Sequence, residues 1–391
     1  MKITFVANPM NHHQLPFCQK MIELTRGQFT YVSVEPLSEE QSKLGYANLN
    51  MLDFIIRYYE NDEQKQRAMN HILNDDMVIF GSCPDSLLEQ RRDTGKHFII
   101  YSERFFKKGT WRRFVPITMK KIQMRMLQFE DANVSVICSS AYLPYDLYLL
   151  KAKFQIYKWG YFPPFKHYDI DELLKSKCEK NKRISILWVG RLIKLKHPDA
   201  SIYVAKKLKE EGYTFELNIV GDGPLRQSLE RKVRRYNLEN EVRFCGATPA
   251  DQVRGYMEKA NIFLFTSDYH EGWGAVMNEA MNSGCAVIAS HAVGSVPFLV
   301  KHGYNGLIYK SGDVKQLFRY TKQLMDSPKL AKNLSKKAYD TIVEQWNADN
   351  AATRLYEIID AKLNRKNDIL FEEGPGSLAK VIKPKYEGEM L

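Results

Sequence analysis

The residues with the clearest chemical potential are two glutamates, Glu271 and Glu279, which stand eight positions apart around a glycine-containing turn. The sequence predicts a buried strand ending near Thr266, then a turn, and then a helix over 275–281. Because a helix rises about 1.5 Å per residue, eight residues span ~12 Å and return to nearly the same face. Amide N–H groups at 273–276 suit an anion or sugar hydroxyls, and a Glu279 carboxylate can accept both hydroxyls of a ribose. Taken singly, each glutamate is better explained structurally: Glu271 as an acid in the first turn of a helix and Glu279 as an acid on an exposed helix face.

A second turn in the same half of the sequence carries two cations. A predicted strand ends at Val189, Gly190 permits the turn, and Arg191 and Lys196 follow. An arginine can hold a phosphate through two parallel hydrogen bonds, and a lysine adds a point charge. A solvated basic loop is the competing interpretation of this segment.

A third turn, Gly221-Asp222-Gly223-Pro224, follows the predicted strand 215–220. Its two glycines would let the backbone approach a ligand, and Pro224 is placed to begin a helix. Position 226 is arginine, so the segment lacks the third glycine of the dinucleotide-binding fingerprint. A tight turn explains it as well as a ligand site does.

Short apolar runs that alternate with longer amphipathic stretches must position these turns. Most runs are continuously apolar, as in strands that are covered on both faces, and helical patterns such as 198–210 and 224–236 separate them. The alternation predicts an α/β protein with two Rossmann-like, doubly wound parallel-sheet domains that face each other across a cleft. The predicted strands are 3–7, 29–34, 77–80, 97–101, 134–138, 154–157, 184–189, 215–220, 242–245, 262–266, 286–289 and 306–308.

Breaks in this pattern set the predicted domain boundaries. The segment 160–164 interrupts it, and a polar stretch follows before the next strand. A last helical pattern at 338–363 predicts a helix that crosses back to the first domain, and residues 372–377 predict a loose tail. The resulting segments are 1–165, 166–345 and 346–391.

Composition narrows the class of protein. Hydrophobic residues make up 44% and charged residues 26% of the 391 residues, which excludes a disordered or collagen-like chain. The net charge of +11 favours an anionic partner such as a nucleotide, a nucleic acid or an acidic membrane surface. No two of the six cysteines share a C-x-x-C spacing, so neither a zinc ribbon nor a disulfide framework is indicated. No apolar run reaches ~18 residues, so no membrane-spanning segment is predicted. The first residues predict a strand rather than a signal peptide. These features predict a cytoplasmic protein.

Taken together, the turns resemble the retaining glycosyltransferases of family 4, over about residues 182–360. The resemblance implies the GT-B fold, with an acceptor-binding first domain and a second domain that binds a nucleotide-diphosphate sugar, a UDP-sugar in preference to a GDP-sugar. It implies no cofactor and retention at the anomeric carbon, by a front-face route because no residue is an evident nucleophile. The motifs that carry it are Gly190-Arg191 with Lys196, Gly221-Asp222-Gly223-Pro224, Phe244-Cys245-Gly246, Glu271-x7-Glu279, residues 286–293 and Gly303-Tyr304-Asn305-Gly306-Leu307.

The resemblance also implies roles for individual residues. Arg191 and Lys196 would hold the donor diphosphate, and Glu279 would hold the ribose hydroxyls. Glu271 and the backbone of 272–275 would face the sugar. The implied donor-binding set is Gly190, Arg191, Lys196, Gly221, Gly223, Gly246, Glu271, Gly272, Trp273, Gly274, Ala275 and Glu279.

The first domain departs from the family pattern at two places. Its first strand-to-helix loop, 8–14, has His12 and His13 where many members have a Gly-Gly pair, so a histidine could meet phosphate or acceptor, or be merely solvated or capping. Many members place a histidine after the fourth strand, where this sequence has Glu103. Glu103 could touch sugar hydroxyls or activate the acceptor, or form a buried ion pair with Arg104. The predicted catalytic set is Arg191, Lys196, Glu271, Glu103 and His12.

Residues 104–125 contain eight cations, no acid and interleaved aromatic and aliphatic side chains. This composition suits a segment at an anionic lipid surface, at about 1 kcal/mol per cation near the surface. A lipid-linked sugar acceptor would then place the protein on the inner face of the cell membrane. Alternatively, the apolar side chains pack on the sheet while the cations are solvated. Nucleic-acid binding is a third interpretation, which we do not expect because no recognised module appears.

One segment, Asp169-Ile170-Asp171, has the spacing of a metal-binding Asp-x-Asp motif. It lies at a predicted helix start, where acids cap the N-terminus, so we expect no metal site and metal-independent turnover. The predicted function is a retaining glycosyltransferase acting on a glycan or lipid-linked acceptor. The alternatives are a nucleotide-sugar epimerase of the same fold and a basic non-enzymatic nucleic-acid-binding or scaffold protein.

Overall fold

The computed structural model of the protein describes residues 1–38, 47–180, 183–366 and 369–386. The chain divides into two compact units. Unit 1 consists of residues 1–164 and 346–383, and unit 2 consists of residues 165–345 and 384–391, of which 384–386 are described. The side chain of Cys178 and residues 387–391 of the expected tail lie outside the described part.

Unit 1 is built on a sheet of seven strands, all parallel. The strands are β1 (Ile3–Ala7), β2 (Phe29–Ser33), β3 (Ile55–Arg57), β4 (Met77–Phe80), β5 (Phe98–Ser102), β6 (Val134–Cys138) and β7 (Ile156–Lys158). Their order across the sheet is β3-β2-β1-β4-β5-β6-β7. The helices are α1 (Leu15–Leu24), α2 (Asp62–Asn74), α3 (Asp85–Asp93), α4 (Pro116–Arg125) and α5 (Leu143–Leu149).

Unit 2 is built on a sheet of six parallel strands. The strands are β8 (Ile184–Val189), β9 (Phe215–Val220), β10 (Val242–Gly246), β11 (Ile262–Phe265), β12 (Ala286–Ser290) and β13 (Leu307–Tyr309). Their order is β10-β9-β8-β11-β12-β13. The helices are α6 (Ile170–Lys180), α7 (Pro198–Glu210), α8 (Arg226–Arg235), α9 (Ala250–Met257), α10 (Val276–Asn282), α11 (Val296–Leu299), α12 (Val314–Asp326) and α13 (Pro328–Asp340).

The central strands of both sheets are buried along their whole length. Every residue of β1, β4 and β12 is buried, so these strands have no solvent face and carry apolar side chains in succession. This confirms the prediction of two parallel-sheet α/β domains. The sequence prediction omitted β3, a three-residue strand at the edge of the sheet.

The last helical pattern of the sequence is divided in the structure. Helix α13 continues into a single π-helical turn at Thr341–Gln345, and a new helix, α14 (Ala348–Leu363), then begins with the Asn347 side chain as its cap. Asn347 Oδ1 accepts a hydrogen bond from Asn350 N at 2.8 Å. Helix α14 packs against α1 within unit 1.

Residues 374–377, where the sequence predicts a loose tail, are instead buried against β7. Lys158 N donates to Ser377 O at 2.7 Å, and Gly376 N donates to Lys158 O at 2.9 Å. The segment thus takes up backbone hydrogen bonds at the edge of the unit 1 sheet. Its glycine and proline content permits this close approach, although the same composition resembles a flexible linker.

A buried lysine ties helix α6 to the ends of two other helices in unit 2. The Lys177 side chain is 2% exposed, and its Nζ donates to the carbonyl oxygens of Met257 (3.1 Å), Ala260 (2.8 Å), Ser283 (2.6 Å) and Gly284 (2.8 Å). These carbonyls lie at or just beyond the C-terminal ends of α9 and α10, where the helix dipole favours a cation. Among the described residues, no helix is long and apolar enough to cross a lipid bilayer.

We expect Lys177→Met to lower the free energy of unfolding by about 3 kcal/mol, because several buried carbonyl oxygens lose their donor. Urea unfolding followed by circular dichroism measures this change. Lys175→Met is the matched control, since Lys175 is exposed on the same helix. Equal stability of the two variants would show that the buried ammonium contributes nothing.

Candidate active site

Three strand-to-helix turns of unit 2 are packed directly on one another. Gly221 N donates to Gly246 O at 2.8 Å, and Gly190 N donates to Val220 O at 3.0 Å. A Cβ on Gly221 would lie 2.0 Å from Gly190 O, and Gly221 has a φ of +131°. The absence of a side chain at Gly221 therefore permits contact between the turns themselves, which favours the tight-turn interpretation of this glycine that the sequence left open.

Gly223 belongs to the same set of contacts. A Cβ on Gly223 would lie 2.9 Å from both the nitrogen and the oxygen of Leu192. Leu192 N in turn donates to Asp222 O at 2.9 Å, so the turn after β9 is fixed to the turn after β8. The loop that carries Arg191 and Lys196 thereby has a defined backbone path.

The turns after β8 and β11, two adjacent strands, are joined by the hydroxyl of Thr266. Trp188 Nε1 donates to Thr266 Oγ1 at 2.8 Å, and Thr266 Oγ1 donates to Lys196 O at 2.6 Å. Asp268 N also donates to Leu195 O at 2.9 Å. These bonds hold the segment before Glu271 beside the segment that ends at Lys196.

As a result, the structure brings together two of the predicted catalytic residues. Lys196 Nζ lies 2.5 Å from Glu271 Oε2, and their side chains are 17% and 13% exposed. Ser267 Oγ donates to the same carboxylate oxygen at 3.0 Å. An ammonium has three donors, so Lys196 can keep this contact and still donate to an oxygen of an incoming phosphate. Arg191 lies exposed in the same turn.

The segment from Gly272 to Ala275 leads into α10 and contains a buried aromatic residue. Trp273 is 1% exposed, its Nε1 donates to Asn278 Oδ1 at 2.8 Å, and its carbonyl accepts from Ser295 Oγ at 2.6 Å. The Trp273 indole is therefore part of the core. Gly274 has a φ of +76°, and a Cβ there would lie 2.2 Å from Phe265 Cζ.

The other predicted acid, Glu279, lies on α10 with its side chain 13% exposed. Burial raises the pKa of its carboxyl to about 7, although Arg254 opposes this shift. Arg254 Nη2 lies 4.0 Å from Glu279 Oε1, beyond hydrogen-bonding distance, while Arg254 Nη1 donates to Asn282 Oδ1 at 2.8 Å. The carboxylate thus retains capacity to accept hydrogen bonds. The sequence did not predict Arg254, which has no local pattern apart from its place in a helix.

The two predicted residues outside this cluster, His12 and Glu103, belong to unit 1. Tyr161 Oη donates to Glu103 Oε1 at 3.0 Å, and Lys107 forms an ion pair with Glu103 Oε2. The predicted alternative of a Glu103–Arg104 ion pair is wrong. Arg104 is buried and pairs with Asp146, whose carboxylate also accepts the amide N–H groups of residues 105 and 106.

Glu103 lines a polar cavity of about 320 Å³ at the carboxyl ends of β1, β4, β5 and β6. The cavity wall includes the amides of Asn11 and Gln14 and the phenol of Tyr161. Ser139, which is buried, also lines it. The sequence did not predict Tyr161 or Ser139 as functional, because Tyr161 lies in the segment interpreted as a domain boundary.

The two histidines of the first loop lie against each other, and His13 contacts Tyr161 of this cavity wall. The ring centroids of His12 and His13 are 3.7 Å apart, and the His13 ring stacks on Tyr161 at 6.1 Å. Burial lowers the pKa of His12, and burial with the neighbouring His12 charge lowers the pKa of His13 to about 3. Both imidazoles are therefore neutral near pH 7.

The basic stretch 104–125 divides into a buried part and an exposed part. Phe106 and Ile122 are buried, as the interpretation of apolar side chains packing on the sheet expects. Arg104 is also buried, and Arg125 is bound to the backbone of residues 81 and 83 and to Asp85, so these two cations are not solvated as that interpretation expects. In contrast, four large apolar side chains on the turn at 110–114 and on α4 are exposed. They are Trp111 (59%), Phe114 (74%), Ile117 (65%) and Met124 (41%).

The Asp169–Asp171 segment forms the start of α6. Asp169 Oδ1 accepts from Glu172 N at 3.1 Å, and Asp171 pairs with Lys336 at 2.7 Å. These contacts fit the interpretation of helix-capping acids. Within the described ranges, no group of three or more His, Cys, Asp or Glu residues is arranged to hold a metal ion.

Comparison of the sequence with known proteins places its similarity in unit 2. Residues 169–341 match the family model of glycosyl transferases group 1. The amylovoran biosynthesis glycosyltransferase AmsK of Erwinia amylovora is 31% identical over 149 residues, which cover 37% of this chain and 36% of that protein. The 2-deoxystreptamine N-acetyl-D-glucosaminyltransferase of Niallia circulans is 25% identical over 172 residues, 44% of either protein. The chain spans about a third to a half of the length of such curated relatives.

Solved structures resemble nearly the whole chain. HepE of Anabaena, solved in complex with UDP, has a TM-score of 0.69 at 15% identity, covering 92% of this chain and 100% of HepE. Sucrose-phosphate synthase of Thermosynechococcus elongatus has a TM-score of 0.67 at 17% identity, covering 94% of this chain and 100% of that one. This likeness establishes the GT-B fold, as the sequence predicted.

We expect Glu279→Gln to stabilise the ligand-free protein at pH 8 by about 2 kcal/mol and to have little effect near pH 5. The pKa of the carboxyl is about 7 when folded and about 4.5 in the free side chain, so the wild-type protein loses stability as pH rises between these values. Urea unfolding at both pH values tests this expectation. Glu239→Gln, at an exposed position, is the control. A pH-independent difference would show that the Glu279 carboxyl does not titrate near 7.

Proposed function

We propose that this chain, which carries a glycosyl transferases group 1 domain, transfers a sugar from a nucleotide-diphosphate sugar to a hydroxyl of a glycan or lipid-linked acceptor. The observation that carries the proposal is the contact between Lys196 and Glu271 across two adjacent strand-to-helix turns. Open α/β sheets bind nucleotides at this edge. The family match over residues 169–341 covers both turns.

The donor is assigned to the turns of unit 2. Arg191 and Lys196 bind the diphosphate, and Glu279 accepts hydrogen bonds from the ribose hydroxyls, for which its carboxylate has unused acceptor capacity. Backbone near Gly221 and Gly246 borders the base. We favour a UDP-sugar over a GDP-sugar, since HepE was solved with UDP and with UDP-glucose.

The chemistry follows from where charge develops. Transfer breaks the bond between the anomeric carbon and the phosphate oxygen, and both electrons of that bond remain on the nucleotide diphosphate. Pre-placed cations stabilise this negative charge, so Lys196 and Arg191 lower the barrier without a metal ion. Glu271 faces the sugar and binds its hydroxyls. In the front-face route, the acceptor hydroxyl attacks from the side of the leaving group and gives its proton to the departing phosphate oxygen, which retains the anomeric configuration.

The acceptor is assigned to the polar cavity of unit 1. Amides, hydroxyls, the Glu103 carboxylate and the Arg125 guanidinium line it, and these donors and acceptors suit the hydroxyls of a sugar. Lys107 neutralises Glu103, while Glu103 can still accept a hydrogen bond from the hydroxyl that reacts. His12, in the loop that also carries the cavity residue Asn11, is assigned to accept a hydrogen bond from the acceptor, and burial lowers its pKa, which favours the neutral imidazole that can accept one.

The exposed part of the basic stretch is assigned to a membrane. Trp111, Phe114 and Ile117 are exposed next to Lys120 and Lys121, which are also exposed. Apolar side chains among cations suit the boundary between lipid headgroups and acyl chains. This surface supports our assignment of the protein to the cytoplasm, as a peripheral protein on the inner face of the cell membrane that acts on a lipid-linked acceptor.

Donor turnover tests the proposed function. We expect Lys196→Ala to lower kcat by about two to three orders of magnitude, because one donor to the developing charge is lost. We expect Glu279→Ala to raise the donor KM about tenfold through loss of the ribose contacts. Lys194→Ala is the matched control, since Lys194 is exposed in the same turn.

The assay measures release of nucleotide diphosphate with and without acceptor, in the presence of EDTA. Formation of an epimer of the donor sugar without any acceptor would favour a nucleotide-sugar epimerase. Absence of thermal stabilisation by any nucleotide diphosphate or its sugars would contradict nucleotide-sugar binding altogether.

Vesicle sedimentation tests the membrane assignment. We expect binding to vesicles that contain phosphatidylglycerol at low salt, weakened at least tenfold in Lys120→Glu/Lys121→Glu, since each cation contributes about 1 kcal/mol. Phe114→Ser should weaken binding as well. Met51→Ser is the matched control, because Met51 is an exposed apolar residue of unit 1 outside the stretch. Equal sedimentation of all variants would contradict the assignment.

A further inference from the structure

The last described residues of the chain return to unit 2. Residues 346–383 belong to unit 1, whereas Pro384 begins a second segment of unit 2. Pro384 and Tyr386 are half-buried and Lys385 between them is exposed, as in an extended segment with one face on the protein. The contacts of this segment lead to the loop that carries Glu271.

Tyr386 is anchored at a buried amide. Gln316 is 8% exposed, and its Nε2 donates to Tyr386 Oη at 2.6 Å. Gln316 Oε1 accepts from Lys310 N at 2.7 Å, which fixes the orientation of the amide. The Tyr386 ring also packs edge-on against the His291 ring, with 5.4 Å between their centroids.

A directed series of hydrogen bonds connects the same histidine to Pro384. Ser311 N donates to His291 Nδ1 at 2.9 Å, so the ring proton is on Nε2. His291 Nε2 lies 2.7 Å from Tyr269 Oη, and Tyr269 Oη donates to Pro384 O at 3.1 Å. Burial lowers the pKa of His291 to about 4, which keeps the imidazole neutral and this direction of donation unchanged at pH 7.

Tyr269 is part of the loop that presents Glu271. Asp268, its neighbour, is bonded through its amide to Leu195, and Glu271 N donates to Asp268 O at 3.1 Å. The loop is therefore held from one side by the turn after β8 and from the other side by Tyr269. Without the Tyr269 contacts, the exposed part of the loop next to Glu271 would have fewer restraints.

We infer that Tyr269, His291, Pro384 and Tyr386 form a clasp in which the C-terminal segment holds the Glu271 loop in the conformation that binds the donor sugar. These are positioning residues, because they act on the donor sugar only through Glu271. Their contacts are made by Tyr269, which lies in the same loop as Glu271. The effect on turnover rests on the proposed function, whereas the effect on the loop does not. The clasp adds a dependence of the donor site on residues more than a hundred positions away in the sequence.

Two measurements on the full chain test the clasp. Hydrogen–deuterium exchange of peptides covering 266–275 measures the loop directly. Donor kinetics, compared with the Kd of free UDP, measure its consequence. Tyr269→Phe keeps the ring and removes the hydrogen bonds of the hydroxyl to His291 and Pro384. Tyr386→Ala removes both the hydroxyl and the ring. Tyr386→Phe is the conservative variant, which keeps the packing on His291. Tyr213→Phe is the matched control, because it removes a 2.6 Å hydrogen bond to Asp326 near the amino end of β9.

We expect Tyr269→Phe and Tyr386→Ala to speed exchange of the loop about tenfold and to lower donor kcat/KM about tenfold, with the Kd of UDP changed less than twofold. Tyr386→Phe should recover part of both losses, and Tyr213→Phe should change neither. Unchanged exchange at 266–275 would overturn the clasp, as would faster exchange with unchanged donor kinetics in an active enzyme. If wild-type protein turns over no nucleotide sugar, the proposed function fails, and exchange alone then decides whether the clasp holds the loop.

Discussion

The hydroxyl of Thr266 is the contact on which the candidate site depends. It accepts from the buried Trp188 indole on one strand and donates to the Lys196 carbonyl after the same strand, so the turns after β8 and β11 cannot separate without breaking both bonds. Parallel strands already bring their carboxyl ends to one edge of the sheet. The threonine converts that general proximity into a specific meeting of Lys196 with Glu271.

Buried charges in this protein are satisfied to different degrees. The ammonium of Lys177 has four carbonyl acceptors, and the Asp146 carboxylate has an arginine and two amide donors. These groups are fully engaged by the protein and contribute to the fold. Glu279, by contrast, has its nearest cation beyond hydrogen-bonding distance, and burial raises its pKa to about 7. A desolvated carboxylate with too few hydrogen-bond donors lowers the stability of the folded protein, and a ligand whose hydroxyls donate to it removes this destabilisation.

The two units differ in how much their sequence says about chemistry. The family match is confined to residues 169–341 in unit 2, where the glycine turns and the paired glutamates form short local motifs. Unit 1 shares its fold with known structures, yet its cavity is lined by amides, hydroxyls, one carboxylate and one guanidinium in an arrangement without a local motif. The acceptor site that we propose for unit 1 therefore rests on the lining of this cavity, and the lipid surface that we propose rests on the exposed apolar side chains of α4 and the turn before it.

The sequence by itself determined the parallel-sheet architecture, the glycine turns and the pair of glutamates, because burial on both faces and tight turns leave patterns within a few residues. Strands β1, β4, β6, β8 and β9 have the predicted bounds, whereas β3 was missed. Only the tertiary structure decided the partners of individual side chains. Glu103 meets Tyr161, 58 positions away, instead of its neighbour Arg104, and Tyr269 meets Pro384, 115 positions away. Such contacts depend on how distant segments pack, and no periodicity or spacing near either residue records them.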